Sequence, residues 1–240
     1  MIQLIRTEIA KLGGSLALLF ALVVPALTSC LALLTIVVNE RQSSWEMILG
    51  GFTLPLWVLF IFPMATATFA TLCAQIEYRA KAWDHLLALP YPRWQLFAAK
   101  AIVVQGALML MTVLLFVYTY GLISLAGWII GEMPSGNPQV ARIADSSVRF
   151  LAAGLLLTVI QLWVALRFAN FVIPLAVGIA GTLVGLAVTM VGTEDADWFP
   201  WVLTLRASGE DWMQPVLIGL TGGIIAIGLM LLDLSRRAPR

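Results

Sequence analysis

Six stretches without a single Asp, Glu, Lys or Arg divide this chain: residues 12–39, 47–76, 101–131, 150–166, 168–193 and 212–232. An α-helix needs roughly 17–25 residues to cross the hydrocarbon layer of a bilayer, and every stretch reaches that range. The fourth is the shortest, with Arg149 and Arg167 at its ends placed to snorkel. Lipid offers backbone groups no water to bond, so only helices and closed barrels cross it. The stretches lack the period-two alternation of barrel strands, which leaves helices. Charged residues are 11% of the 240 and mean hydropathy is +0.96, far from the roughly one-quarter charge of soluble domains. The expected fold class is all-α: a polytopic membrane protein, 1–240 forming one domain. Spans are expected near 13–38, 47–76, 101–126, 148–167, 170–192 and 213–234.

The basic residues of the short loops set the expected orientation. With the N-terminus inside, Arg6, Lys11, Arg79, Lys81, Arg93, Lys100, Arg167, Arg236, Arg237 and Arg240 are cytoplasmic, and only Arg41, Arg142, Arg149 and Arg206 lie outside. Both termini are thus expected in the cytoplasm. The first apolar run is too long for the core of a cleavable signal, and is expected to stay as an anchor.

Residues 1–12 space Ile2, Ile5, Ile9 and Leu12 at near-helical intervals around Arg6, Glu8 and Lys11. That pattern predicts an amphipathic elbow helix on the inner membrane surface, or else a frayed start to the first span. Gly13-Gly14 supplies a turn after it. Between the second and third spans, residues 77–94 predict a short helix with Trp83, Leu86 and Leu87 on one face, stopped by Pro90 and Pro92. Pro134, Gly136 and Pro138 mark residues 132–147 as irregular chain. The segment 194–211 sets acids around an apolar island containing Trp198, Phe199 and Trp201. The island is too short to span, and suits either a helix dipping into the outer interface or a plain aromatic belt.

Several chemistries are excluded. A P-loop needs Gly-Lys, and Lys11, Lys81 and Lys100 all follow alanine. His85 is the only histidine, and Cys30 and Cys73 sit in apolar runs, so no metal cluster is expected. No basic face is available for nucleic acid. Proton relays and intramembrane enzymes keep ionisable groups at membrane depth, and the six runs hold no charged residue. Their polar groups, Gln105, Gln161, Thr66, Thr68 and Thr71, are expected to be interhelical hydrogen bonders or pathway groups.

Glu77, Trp83, Leu86-Leu87, Leu89-Pro90, Arg93, Phe97 and Lys100, together with the elbow and six spans, resemble the permease subunits of ABC-2 type ATP-binding-cassette exporters. Within these, the chain is similar to the permeases of lantibiotic (bacteriocin) self-immunity systems. The resemblance implies that the loop after the second span is a coupling helix docking on a separate cytosolic ATPase. Trp83, Leu86 and Leu87 would be its apolar anchors, Glu77, Arg79, Lys81 and Asp84 its polar contacts, and Arg93 would fix the turn; the alternative is an interfacial helix resting on lipid. The resemblance further implies a permease in a bacterial plasma membrane, paired with an identical or homologous second permease and two ATPase chains. ATP and Mg would belong to those ATPases, with no cofactor bound here. Members of the family often carry larger outer domains or charged pathway groups. Their absence points to an amphipathic peptide cargo taken from the membrane, with a lipid or drug next. The rival expectation is a non-transporting scaffold or sensor built on the same bundle.

Overall fold

The computed structural model describes residues 1–39, 44–192, 198–209 and 211–236. Arg41, Arg237 and Arg240 of the basic count lie outside these, as do the acids Glu40, Glu194, Asp195, Asp197 and Glu210. Among the described residues regular structure is helical, apart from one isolated bridge between Ser44 and Ser135.

Helix α1 (Ile2–Leu12) ends at the Gly13-Gly14 turn, where Gly14 takes a left-handed φ of +72°. Helix α2 (Leu16–Asn39) follows, its Leu18 N–H donating to the Ser15 hydroxyl at 3.3 Å. The second apolar run is one helical element, α3 (Met47–Ala80), but its first half is not α-helical. Met47–Thr53 and Trp57–Ile61 are π-helical, and the Thr53 hydroxyl donates to the Ile48 carbonyl at 2.7 Å, five residues back. Pro55 and Pro63 lack the N–H that an α-turn needs, and a widened stretch precedes each. A short α4 (Trp83–Leu87) leads to α5 (Arg93–Ile130), the longest helix.

The fourth run departs from expectation. Helix begins already at Val140, so residues 140–147 are not irregular chain: α6 (Val140–Ala153) is amphipathic, its Arg149 paired with Asp145 one turn before. At Gly154 the chain bends by 46° into α7 (Leu155–Arg167). At 1.5 Å per residue, α7 alone is about 20 Å long, too short to span. The helices α2, α3, α5, α8 (Val172–Val191) and α10 (Met213–Arg236) are long and apolar enough to cross a membrane, and the bent pair makes a sixth if taken as one.

The second half of α3 is the central post. It packs on α7 and α8, while α2 packs on α5 and α10 on α7. Trp57, Phe62, Phe69, Phe97 and Phe150 are sealed between them. Close approach depends on small residues, as it does where lipid gives no hydrophobic push between helices. A Cβ on Gly178 would lie 2.2 Å from that of Ala67 in α3. The ends of several elements meet at one end of the bundle: the Tyr78 hydroxyl donates to the Leu166 carbonyl at 2.7 Å, and Arg93 reaches the Ser235 carbonyl at 3.5 Å.

Candidate functional site: an ionic ring beneath helix α4

Helix α3 stops because Lys81 turns left-handed, φ +49°, with its N–H and that of Ala82 bonded back to Tyr78 and Glu77. That single residue throws the chain sideways into α4. A left-handed residue with a Cβ costs about 1–2 kcal/mol. Lys81→Gly should therefore raise stability by about 1 kcal/mol in thermal melts while removing one exposed charge; a lower melting temperature would contradict the geometry.

The turn also decides where Trp83 points. Its ring is only 8% exposed and lies 5.6 Å from Tyr78 and 6.0 Å from Phe97. The expectation of an outward anchor is thereby corrected: Trp83 fastens the segment to its own bundle, because the left-handed turn folds α4 back over α5. Leu86 and Leu87 pack against the same core, half-buried. What faces outward is Arg79, Lys81, Asp84, His85, Leu89, Tyr91, Arg93 and Trp94. The Tyr91 hydroxyl reaches the Gln3 side chain of α1 at 3.3 Å, so the elbow braces the segment.

Glu77 is not an outward contact either. It is 1% exposed, and Lys100 is 4% exposed. The Lys100 ammonium donates to both Glu77 carboxylate oxygens at 2.9 and 3.0 Å and to Glu8 at 2.6 Å. Lys11 bonds Glu77 at 3.0 Å and pairs with Glu8. Glu8, Lys11, Glu77 and Lys100 thus close a ring of alternating charge joining α1, α3 and α5. Isolated, any of these charges would be expensive to bury. Alternation and charge-assisted hydrogen bonds make the set tolerable.

Burial pushes the Glu8 carboxyl up, but the nearby Lys100 ammonium, its hydrogen bond and those of Lys11 outweigh this and hold it below its ordinary 4.5. A carboxyl depressed in the folded state contributes its full stability above 4.5 and loses it as pH falls through the lower folded value. The melting temperature should therefore fall in acid below about pH 4.5, with a shallower slope in Glu8→Gln. An unchanged slope would show that Glu8 is not held by the lysines.

Thr66, Thr68 and Thr71 donate to carbonyls one turn back in α3, so they do not bridge helices. Gln105 reaches the Leu151 carbonyl at 3.5 Å, and the Gln161 amide is buried without a partner. Gln105 thus crosses from α5 to α6 as expected, while further hydrogen bonds between helices come from residues with no special signature in the sequence. Ser29 bonds Thr119 at 2.9 Å, and the Trp163 indole donates to Asp233 at 3.0 Å. At the other end, the island becomes α9 (Pro200–Arg206), whose Trp201, Val202, Leu203 and Thr204 are buried. It inserts among α3, α6, α8 and α10, with Phe199 stacked on Trp201 at 5.1 Å and Trp198 66% exposed. Gly181 and Gly185 of α8 make the room: a Cβ on Gly181 would lie 2.2 Å from the Trp201 ring.

No curated protein and no solved structure matches the chain. A family model, described as ABC-2 family transporter protein, matches residues 4–185 and so takes in most of α1, helix α4 and the whole ionic ring. With a multi-pass helical bundle and three quarters of its length matched, the chain belongs to the ABC-2 transporter family, as a membrane permease component rather than the ATPase.

Proposed function

We propose that this permease serves an ATP-driven exporter of a bacterial plasma membrane, with both termini in the cytoplasm. Two permeases, identical or homologous, sit on two ATPase chains, and an amphipathic peptide of the lantibiotic type is expelled from the membrane. Lipid or drug cargo is the nearest alternative. The observation that carries this reading is the ionic ring directly behind the coupling segment. A push on α4 reaches Trp83, and through its ring contact with Phe97 and the Glu77–Lys100 pair it reaches α3, α5 and α1 together. The outward face left for the ATPase is the charged and aromatic strip from Lys81 to Trp94. Large aromatics ringed by charge are common interface anchors.

The test places a cysteine at exposed Asp84 in a chain lacking Cys30 and Cys73. Asp84→Cys should cross-link to the co-expressed ATPase and resist membrane-impermeant thiol reagents in intact cells. Labelling from outside would put the segment on the wrong face and end the proposal.

A further inference from the structure

At the end of the bundle away from the ring, the start of α3 and helix α6 enclose a cleft of about 530 Å³. That lies within the roughly 300–1,000 Å³ of small-molecule sites. Two backbone irregularities flank it. One wall is the π-helical stretch Met47–Thr53, and the other begins at Gln139, held left-handed at φ +47°. Such departures persist where the surroundings hold them and recur at ligand sites.

Its chemistry is divided. Exposed Arg142 and Glu46 pair across the edge at 3.0 Å, and Arg142 also donates to the side-chain carbonyl oxygen of Gln139 at 3.3 Å. The pair cancels, so a ligand meets no net charge. The remaining polar side chains are neutral: the hydroxyls of Ser44, Ser146 and Ser208 and the Gln139 amide. Apolar surface comes from Met47, Ile143 and the buried Leu54. Gly50 leaves the wall bare, since a Cβ there would meet nothing within 4 Å.

We propose that this cleft binds a neutral amphiphile, its amide- or hydroxyl-bearing head among Gln139, Ser146 and Ser208 and its apolar chain along Met47, Leu54 and Ile143. The ligand's class deepens the exporter reading and rests on it; the site would then hold cargo at the far end of the path. The probe is a lauroyl amide with a diazirine on its chain, photolysed without ATP on the full-length permease in lipid nanodiscs. Adducts should concentrate on Met47, Leu54 or Ile143 and be reduced about tenfold by an excess of unlabelled lauroyl amide. Gly50→Trp, filling the cleft from its open side, should abolish that competed fraction. Gly51→Leu is the second filling variant, and either must melt like the wild type to count. Adducts spread over lipid-facing Ile224 and Leu229 without competition would overturn the proposal, as would undiminished labelling in a folded filling variant. Because no ATPase takes part, such a failure leaves the Asp84 cross-link as an independent test of the exporter reading.

Discussion

Lys100→Met should lower stability by about 3 kcal/mol, the lower end of what breaking a buried ion pair costs. The loss arises less from the missing attraction than from what remains. Glu8 and Glu77 then share one ammonium, Lys11, in a site where Glu77 has almost no access to solvent. The lower end is chosen because Lys11 and Glu8 keep 21% and 13% of their side-chain surface exposed, so some water reaches the ring. Adding Glu77→Gln to Lys100→Met restores charge balance and should recover most of the lost stability. Melting of the purified chain in detergent reads both variants. If the double variant were no better than the single one, Glu77 and Lys100 would not act as a pair. In the assembled transporter, Glu77→Gln should separate ATP hydrolysis from transport, since α3 loses its electrostatic tie to α1 and α5.

Gly219→Ala is the second large effect, again about 3 kcal/mol, at the upper end for overpacking a tight core. The new methyl would stand 2.2 Å from the Ala153 carbonyl oxygen and 2.4 Å from its Cα, both backbone atoms that cannot swing aside. Ala153 is the last residue of α6 before the bend, so α10 would have to back away from the place where the fourth run is broken. Gly228 lies on the same helix α10 with nothing within 4 Å of its Cβ position. Gly228→Ala should therefore be neutral or stabilising by up to about 1 kcal/mol. Equal melting of the two variants would mean that the α6–α10 contact is looser than described.

The helical spans are legible in the sequence because solvation is a local test: each uncharged run declares itself without reference to any other. The stop at Pro90 and Pro92 is legible for the same reason, since a missing N–H acts on its own helix. What cannot be read depends on pairing across the chain. Glu8 and Lys100 are 92 residues apart, and each looks alone like a charge snorkelling at the edge of an apolar run. Only the close packing of α1 and α5 turns them inward. The available hint is that Glu8, Lys11, Glu77 and Lys100 flank three consecutive runs on the same expected side with balanced sign. Periodicity puts Trp83, Leu86 and Leu87 on one face of a helix, and they do share one; that this face turns inward is set by the left-handed Lys81, and lysine gives no notice of that conformation. Helix α6 is hidden by its own charges, which a search for uncharged runs treats as loop although they form the wet face of an amphipathic helix. Trp201 reads as apolar and interfacial, yet its burial depends on Gly181 and Gly185 in a different element.

Two carboxylates and two ammoniums sum to zero, and that has an electrical consequence. A lone charge displaced through the whole transmembrane field gains or loses about 2.3 kcal/mol per 100 mV. The quartet is a neutral body, so sliding it with α3 and α5 would do no net work against the membrane voltage. As far as this cluster is concerned, any shift of α3 and α5 should proceed equally well in energised and depolarised cells.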